Sequence, residues 1–375
     1  VDVNSAFLSW EAAKRVKEGL PDLREIPSVV GGDPKKRTGI VVAKSIPAKK
    51  YGIQTGEPMA MALRKCPNLV VVPSDFRLYT ENSLAFKAIC RDYAPVVESF
   101  SIDEVFLDMT GTSLIYPDPI ATAHEIKDKI HAELGFTVNV GISTNKLLAK
   151  MASDFEKPDK VHTLWKEEIP EKMWPLGVGD LLWVGRKTRT RLEAYGIRTI
   201  GDLARTGQGA LTKLVGKKFA AQLHESANGI DDSPVETETQ DAKSLSAERT
   251  FAKDIIDPAE LDRALFNVAC IVAHRLRQAG FCASCVSMFI KHNDFSVRQK
   301  QCSISQPTDV TAIILNEARR MLTEVWDGRT PLRQVGLGVS RLSRESAVQM
   351  SLFEDSRLQY YRDWDRLYDE KMSVK

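Results

Sequence analysis

Residues 101–108 read SIDEVFLD, and two acids, Asp103 and Glu104, stand side by side in a stretch that otherwise alternates like a buried strand. Adjacent carboxylates repel each other and resist leaving water, so something must compensate them. The longer window VVESFSIDEVFLDMT, residues 96–110, reads as two strands joined at a turn, the period-2 pattern of a hairpin. What surrounds that hairpin decides the fold.

Upstream, VDVNSAFLSWEAAKRVKEG begins as a short apolar strand, residues 1–3 with Asp2 inside it, and passes into helical spacing through Phe7, Trp10 and Val16. The Gly/Pro/Lys-rich GGDPKKRTG follows as a loop, then IVVAKS as a strand, MALRKC as a helix, PNLVVVPSD as a strand, and an amphipathic helix over 78–93. Downstream, PIATAHEIKDKIHAELG reads as a helix and FTVNVGIS as a strand. Strand, helix, hairpin, helix, strand is an α+β arrangement with helices covering one face of a sheet. From Leu176 the character changes to short helices punctuated by glycine, up to about Gly229, and IDDSPVETETQDAK reads as a linker. Residues 244–345 supply a second α+β unit: SLSAERTFA, a helix from about Pro258 to Gly280, strands at CVSMFIK and QKQCSIS, a helix over 309–326, and a last strand at RQVGLGVSRL. The remainder is a polar tail with one apolar knot, QMSLF. No internal repeat is present.

At 375 residues the chain is long enough for two to four compact units. The net charge of +2 is nearly neutral, but basic residues cluster: nine Lys/Arg against Glu193 and Asp202 between Arg186 and Lys218, and twelve against six acids between Glu11 and Lys65. Both stretches suit a polyanionic partner, although solvated basic faces are common. Six cysteines are scattered at 66, 90, 270, 282, 285 and 302. Cys282 and Cys285 form a CxxC near His292 without a second ligand pair, so they read as strand cysteines, not a zinc site. No apolar run is long enough to cross a bilayer, and a reducing cytoplasm is the expected location, with no membrane partner.

A small sheet that gathers the first strand and the hairpin would bring Asp2 beside Asp103 and Glu104. Three clustered carboxylates are costly unless they hold cations, and an all-oxygen set suits Mg²⁺ or Mn²⁺. Two such ions would stabilise the attacking and leaving oxygens of a phosphoryl displacement. An exposed turn with ordinary surface acids is the alternative. Asp108 shares the strand's alternation and is left as a structural acid.

VDVNSAFLSWE at the start, SIDEVFLD, VGISTNKLLAKMASDFEKP at 140–158 and LEAYGIRTIGDLA at 192–204 together resemble, in order, the Y-family translesion DNA polymerases, particularly the branches like bacterial DNA polymerase IV and the polymerase V catalytic subunit. The resemblance implies a multidomain α+β right-hand polymerase. Its palm would take residues 1–10 and 68–165, small fingers 11–67, and a thumb 166–232 with a helix-hairpin-helix at about 176–204. A linker would follow at 233–243, a DNA-gripping little finger at 244–345, and a tail at 346–375.

It further implies that Asp2, Asp103, Glu104 and the Val3 carbonyl hold two Mg²⁺ ions, with Mn²⁺ as a substitute, and that Asp103 and Glu104 are catalytic. Phe7 falls at the aromatic steric gate that rejects a ribose 2′-hydroxyl; by spacing alone it is a core residue of the first helix. Lys157 falls where a lysine meets the incoming triphosphate, and Ser101 shapes the turn before the acids. Template-directed synthesis of low fidelity follows, in translesion synthesis, DNA repair and the SOS response, by a monomer acting on primer-template DNA and deoxynucleoside triphosphates.

Departures qualify the match. Where many members have Tyr-Glu-Ala-Arg, this chain has Ile46, Pro47, Ala48 and Lys49 after Ser45. Ser45 and Lys49 are still expected at the nucleotide, with Lys44 or Lys50 in support, but lysine lacks the guanidinium fork. In LWVGRKT, Trp183 stands where the family often has a second glycine; Gly185, Lys187 and Thr188 remain the expected contacts to DNA phosphate. QMSLF resembles the bacterial sliding-clamp motif, with Gln349 at the rim of a clamp pocket and Leu352 and Phe353 inside it.

Two rivals exist. A palm-fold nucleotidyl cyclase would place its GGD in a strand hairpin, but here Pro34 and Lys35 follow it in a loop. A catalytically impaired DNA- and clamp-binding accessory protein would have lost a metal carboxylate, and all three are present.

Overall fold

The computed structural model describes residues 1–33, 39–237, 241–344 and 356–373. The chain divides into two compact units, one holding Val1–Asp33 and Gly39–Thr239, the other Gln240–Lys375. The first unit opens with β1 (Asp2–Val3), α1 (Ala6–Lys17), β2 (Ser28–Gly31), β3 (Val41–Lys44), α2 (Ile46–Lys50), α3 (Met59–Lys65), β4 (Val70–Val72) and α4 (Phe76–Arg91). It continues through β5 (Val96–Ser99), β6 (Val105–Asp108), α5 (Pro119–Leu134), β7 (Val138–Ile142), α6 (Lys146–Ser153) and β8 (Val161–Thr163). Four helices complete it: α7 (Arg186–Ala194), α8 (Ile200–Arg205), α9 (Gln208–Val215) and α10 (Lys217–Ala227).

The hairpin forms as its alternation requires, with Val97 opposite Leu107 and Ser99 opposite Val105. β1 lies between it and β7: Asp2 faces Asn139 on one side and bridges to Glu104 on the other. β8 adds parallel to β7. α4 presents Tyr79, Ser83, Phe86 and Cys90 at helical spacing to a core that includes Trp10, Ile126, Ile130, Phe136 and Val138. α5 starts where Asp118 accepts from the amides of Ile120 and Ala121, with Pro119 in the first turn, and stops at Gly135, whose φ is +80°. A smaller core of Val29, Val41, Ile53, Met59 and Leu69 joins the β3-β2-β4 sheet to α2 and α3.

α6 joins the helical body to β7. Its Leu147, Leu148 and Met151 pack with Leu192, Ile200, Leu203, Leu211 and Leu223 of the helical body, while its backbone presses on β7. A Cβ added to Gly141 of β7 would sit 2.0 Å from the Ala149 carbonyl oxygen and 2.5 Å from the Ser153 nitrogen. Neither backbone atom can give way cheaply. Gly141→Ala is therefore expected to cost about 2 kcal/mol, read as a lower urea midpoint at unchanged slope.

The second unit contains β9 (Ser244–Ile255), α11 (Pro258–Gln278), β10 (Cys282–His292), β11 (Val297–Thr308), α12 (Thr311–Val325), β12 (Leu332–Ser343) and α13 (Ser356–Ser373). Its sheet is antiparallel in the order β11-β10-β12-β9, with Met288 opposite Leu337 and Val286 opposite Val339. Those side chains form one core with Leu261, Leu265 and Val268 of α11 and Ile314 and Met321 of α12. The polar tail contains a helix that the sequence reading did not anticipate. Tyr361, Trp364, Asp365, Tyr368 and Asp369 repeat at helical spacing and dock α13 on this unit. Asp365 accepts from the Thr311 amide at 3.0 Å and from its hydroxyl. Asp369 takes both forks of Arg277 at 2.7 Å. The motif at Gln349, Leu352 and Phe353 lies outside the described residues. No described helix is long and apolar enough to cross a membrane.

Candidate active site

Asp2 and Glu104 face each other because β1 runs beside the end of the hairpin. The Val3 amide donates to the Asp103 carbonyl at 3.0 Å and the Val105 amide to the Val1 carbonyl at 3.0 Å. From below, α4 supports the turn: Lys87 Nζ donates to the Ser101 carbonyl at 2.5 Å, and Ser83 to that of Ile102. The Ser101 hydroxyl lies 2.7 Å from Asp103 Oδ1 and 3.0 Å from Glu104 Oε2, so it ties the two acids together as well as shaping the turn.

The charge compensating the acids is a lysine absent from the sequence expectations. Lys150 of α6 places Nζ 2.6 Å from Asp2 Oδ2, 2.5 Å from Glu104 Oε1 and 3.0 Å from Asp154 Oδ2. Lys157 stands 2.8 Å from both Asp2 Oδ1 and Asp154 Oδ1. The Asp2 side chain is only 9 % exposed. Burial alone would raise its pKa, but Lys150 and Lys157 outweigh that and hold it down at about 2. Glu104 goes the other way: burial, reinforced by Asp2, pushes it up against the pull of Lys150. Lys150 and Lys157 are both raised, because Asp2 and their other acidic partners outweigh their own desolvation. One ammonium shared between two buried acids leaves Asp2 as the firmly ionised member.

The expected cluster of three carboxylates is thus only partly assembled. Asp2 and Glu104 converge on Lys150, while the Asp103 carboxylate is held by Ser101. Among the described residues no three acidic, histidine or cysteine side chains are gathered as a metal site. The donor set nevertheless fits a hard divalent ion. Carboxylate oxygens from two strands already surround one cationic atom at 2.5 and 2.6 Å, and oxygen is the ligand such ions prefer.

A buried amide relay joins the opening strand to the loop that carries Lys157. Asn4 Nδ2 donates to Asn139 Oδ1 at 3.0 Å, Asn4 Oδ1 accepts from the Asp159 amide at 2.9 Å, and Asn139 Nδ2 donates to the Ser153 and Glu156 carbonyls at 3.0 and 2.7 Å. Phe7, in the first turn of α1, is not a deep core residue: it is half-buried and stacks on Tyr79 with centroids 4.6 Å apart. The Tyr79 hydroxyl donates to the buried Glu11 carboxylate at 2.9 Å.

Other candidates fall apart from this centre. Ser45 is a correction: it is 1 % exposed, accepts from the Ala48 and Ser28 amides at 3.1 Å and donates to the Ile26 carbonyl at 2.7 Å. Its hydroxyl is the cap of α2, a helix that Ser45 followed by Pro47 could have signalled, and none is left for a nucleotide. Lys49 is exposed on α2. Burial, then the ammoniums of Lys49 and Lys65, push the Lys44 pKa down, as expected where positive charges gather. Gly185 caps α7 with open space on its Cα face, Lys187 is exposed and Thr188 half-buried. Trp183 has φ +72°, a backbone conformation that glycine adopts without strain.

A cavity of about 760 Å³ opens beside Asp2 and Glu104. Val105–Met109 and Val140–Ser143 line it together with residues of α5, α6 and the segment 231–235. No nucleotide is placed in it.

Comparison with known proteins assigns the chain to a family. The impB/mucB/samB family matches residues 1–154, its C-terminal domain matches 242–352, and a DNA polymerase-iota thumb domain matches 179–231. DNA polymerase IV of Clostridium acetobutylicum is 42 % identical over 356 residues, covering 95 % of this chain and 89 % of that protein. DNA polymerase IV 1 of Bacillus subtilis is 36 % identical over 356 residues, covering 94 % of this chain and 84 % of that one. The chain belongs to the Y-family DNA polymerases. Among solved structures, a Y-family DNA polymerase chimera superposes with a TM-score of 0.79 at 22 % identity, covering 92 % of this polymerase and 98 % of the chimera. The multidomain α+β fold is that of the family, and α13 extends beyond the residues that the family's C-terminal domain matches.

Proposed function

We propose that this DNA-directed DNA polymerase performs low-fidelity synthesis past damaged template positions, in translesion synthesis and DNA repair. The observation that supports it most is the convergence of Asp2 and Glu104, a hundred residues apart in the chain, on one buried cationic centre. Two Mg²⁺ ions, or Mn²⁺ in their place, held by Asp2, Asp103, Glu104 and the Val3 carbonyl, would neutralise charge on the oxygens of nucleotidyl transfer. For that, Lys150 must withdraw from Asp2 and Glu104 while keeping Asp154, its partner one helical turn on.

Lys157, at the rim of the site, then turns to the triphosphate of the incoming nucleotide. Phe7 meets the sugar, with Tyr79 as a rigid backing. The palm is read as residues 1–10 and 68–165, the fingers as 11–67, the thumb as 166–232 and the little finger as 244–345. The small fingers core supports loose cover of the nascent pair, with Lys49 reaching the nucleotide. Gly185, Lys187 and Thr188 take primer phosphates, so binding depends strongly on salt and weakly on sequence. A monomer in the cytoplasm, with Gln349, Leu352 and Phe353 on a sliding clamp, completes the reading.

Primer extension with Mg²⁺ on undamaged and abasic templates tests it. Extension past the abasic position is expected. Arrest one nucleotide before it would remove the translesion role, and no extension on either template would favour the accessory-protein reading. Phe7→Ala is expected to lower the preference for deoxyribonucleotides over ribonucleotides roughly 100-fold, measured as a ratio of kcat/KM values. An unchanged ratio would return Phe7 to the core.

A further inference from the structure

Three aromatic rings line up beside the catalytic turn. Trp183, before α7, meets Phe100 edge-on with centroids 6.4 Å apart; Phe100 meets Phe106 at 5.2 Å; and Lys146 Nζ lies 5.2 Å from the Phe106 ring centre, paired also with Glu98 at 2.6 Å. Trp183 is 58 % exposed and Phe100 36 %, so neither of these rings is core. Phe100 is fixed to the acids, since its amide donates to the Glu104 carbonyl at 3.2 Å. Trp183 is fixed to the basic helix, since its carbonyl accepts from Gly185, the residue that opens α7 with Arg186, Lys187, Arg189 and Arg191 behind it. The row therefore runs from the carboxylates to a surface of positive charge.

We infer that Trp183 and Phe100 form an aromatic rail for the primer strand, packing on its sugars and bases between the catalytic turn and α7. This rests on the reading that the primer 3′ end is delivered to Asp103 and Glu104. A strand with its end there and its phosphates at α7 passes over these rings. Exposed aromatic rings interleaved with cations are how proteins hold nucleic acid without reading sequence. A tryptophan at φ +72°, a conformation that costs any residue with a side chain, agrees with a role for the ring itself.

The test is the affinity of the full chain for labelled primer-template across a salt series, without nucleotide, for wild type, Trp183→Gly, Trp183→Phe and Phe100→Ala. Glycine adopts φ +72° freely, so Trp183→Gly is expected to melt no lower than wild type, and Phe100→Ala tests the rail independently. Trp183→Gly is expected to bind roughly tenfold more weakly, and Phe100→Ala more weakly as well. Both should keep the wild-type slope of log Kd against log salt, because no phosphate contact is lost. Trp183→Phe should stay near wild type. In extension assays KM for primer-template rises and KM for nucleotide does not. Unchanged affinity in both variants would reduce the pair to a clip within the fold. Tighter binding would make it a contact that DNA must break, and a changed salt slope would assign the loss to phosphates; each overturns the rail. Wild type that neither binds nor extends primer-template would instead overturn the functional reading beneath it.

Discussion

Asp103→Ala and Glu104→Ala are each expected to reduce primer extension roughly 10³-fold while leaving the fold intact. The geometry separates the two effects. Asp103 makes its side-chain contact with Ser101 and contributes little to packing. Burial and Asp2 push the Glu104 pKa up against the pull of Lys150, so its carboxylate is costly to keep there and its removal relieves that cost; Lys150 keeps Asp2 and Asp154 as partners. Activity that collapses at unchanged or slightly raised Tm is the signature of groups kept for chemistry at the expense of stability. Single-turnover extension with Mg²⁺, beside thermal melts of the same samples, measures both. Extension that survives both substitutions would remove these acids from the reaction.

Lys150→Ala is expected to destabilise the metal-free protein by about 3 kcal/mol, because a mostly buried ion cluster loses its central cation. Lys157 and Asp154 remain, which keeps the loss below that of a fully uncompensated pair. The sign with pH follows from the two acids. Asp2, held at about 2 against an ordinary 3.8, contributes stability that is present above 3.8 and lost as pH falls through about 2. Without Lys150 less of that contribution exists to lose. Glu104, already raised, takes up a proton still more readily in the variant, which stabilises the variant as pH falls. Both trends narrow the gap between wild type and variant in acid. Denaturant titrations in EDTA at pH 7 and pH 3, the second inside the window where Asp2 takes up its proton, measure it, and a gap that widens in acid would contradict the assignment. Mn²⁺ should return more stability to the variant than to wild type, since no ammonium competes with it for Asp2 and Glu104.

Much of this site was legible in residue order. The hairpin, its turn and the strand holding Asp2 are short-period patterns, and their pairing brings Asp2 to Glu104 as expected. Lys150 was not legible, because its position depends on how closely α6 lies against β7, a distance set by the missing side chain of Gly141. Ser45 was expected at the nucleotide from the family resemblance; only its own burial and its three hydrogen bonds show that it is a cap. The docked tail escaped for a different reason. Polar residues dominate its composition, and the signal was the spacing of a few aromatic and acidic ones.

That docked helix bears on how the clamp motif can be interrogated. α13 lays Trp364 against Phe266 and supplies Asp365 and Asp369 to Thr311, Arg277 and His274. A chain cut at residue 355 therefore loses an N-terminal cap of α12 and strands a guanidinium that was 15 % exposed. Any defect in such a truncated protein mixes injury to its second unit with loss of the motif. Point changes at Leu352 and Phe353 leave that brace in place, and they separate recruitment from architecture.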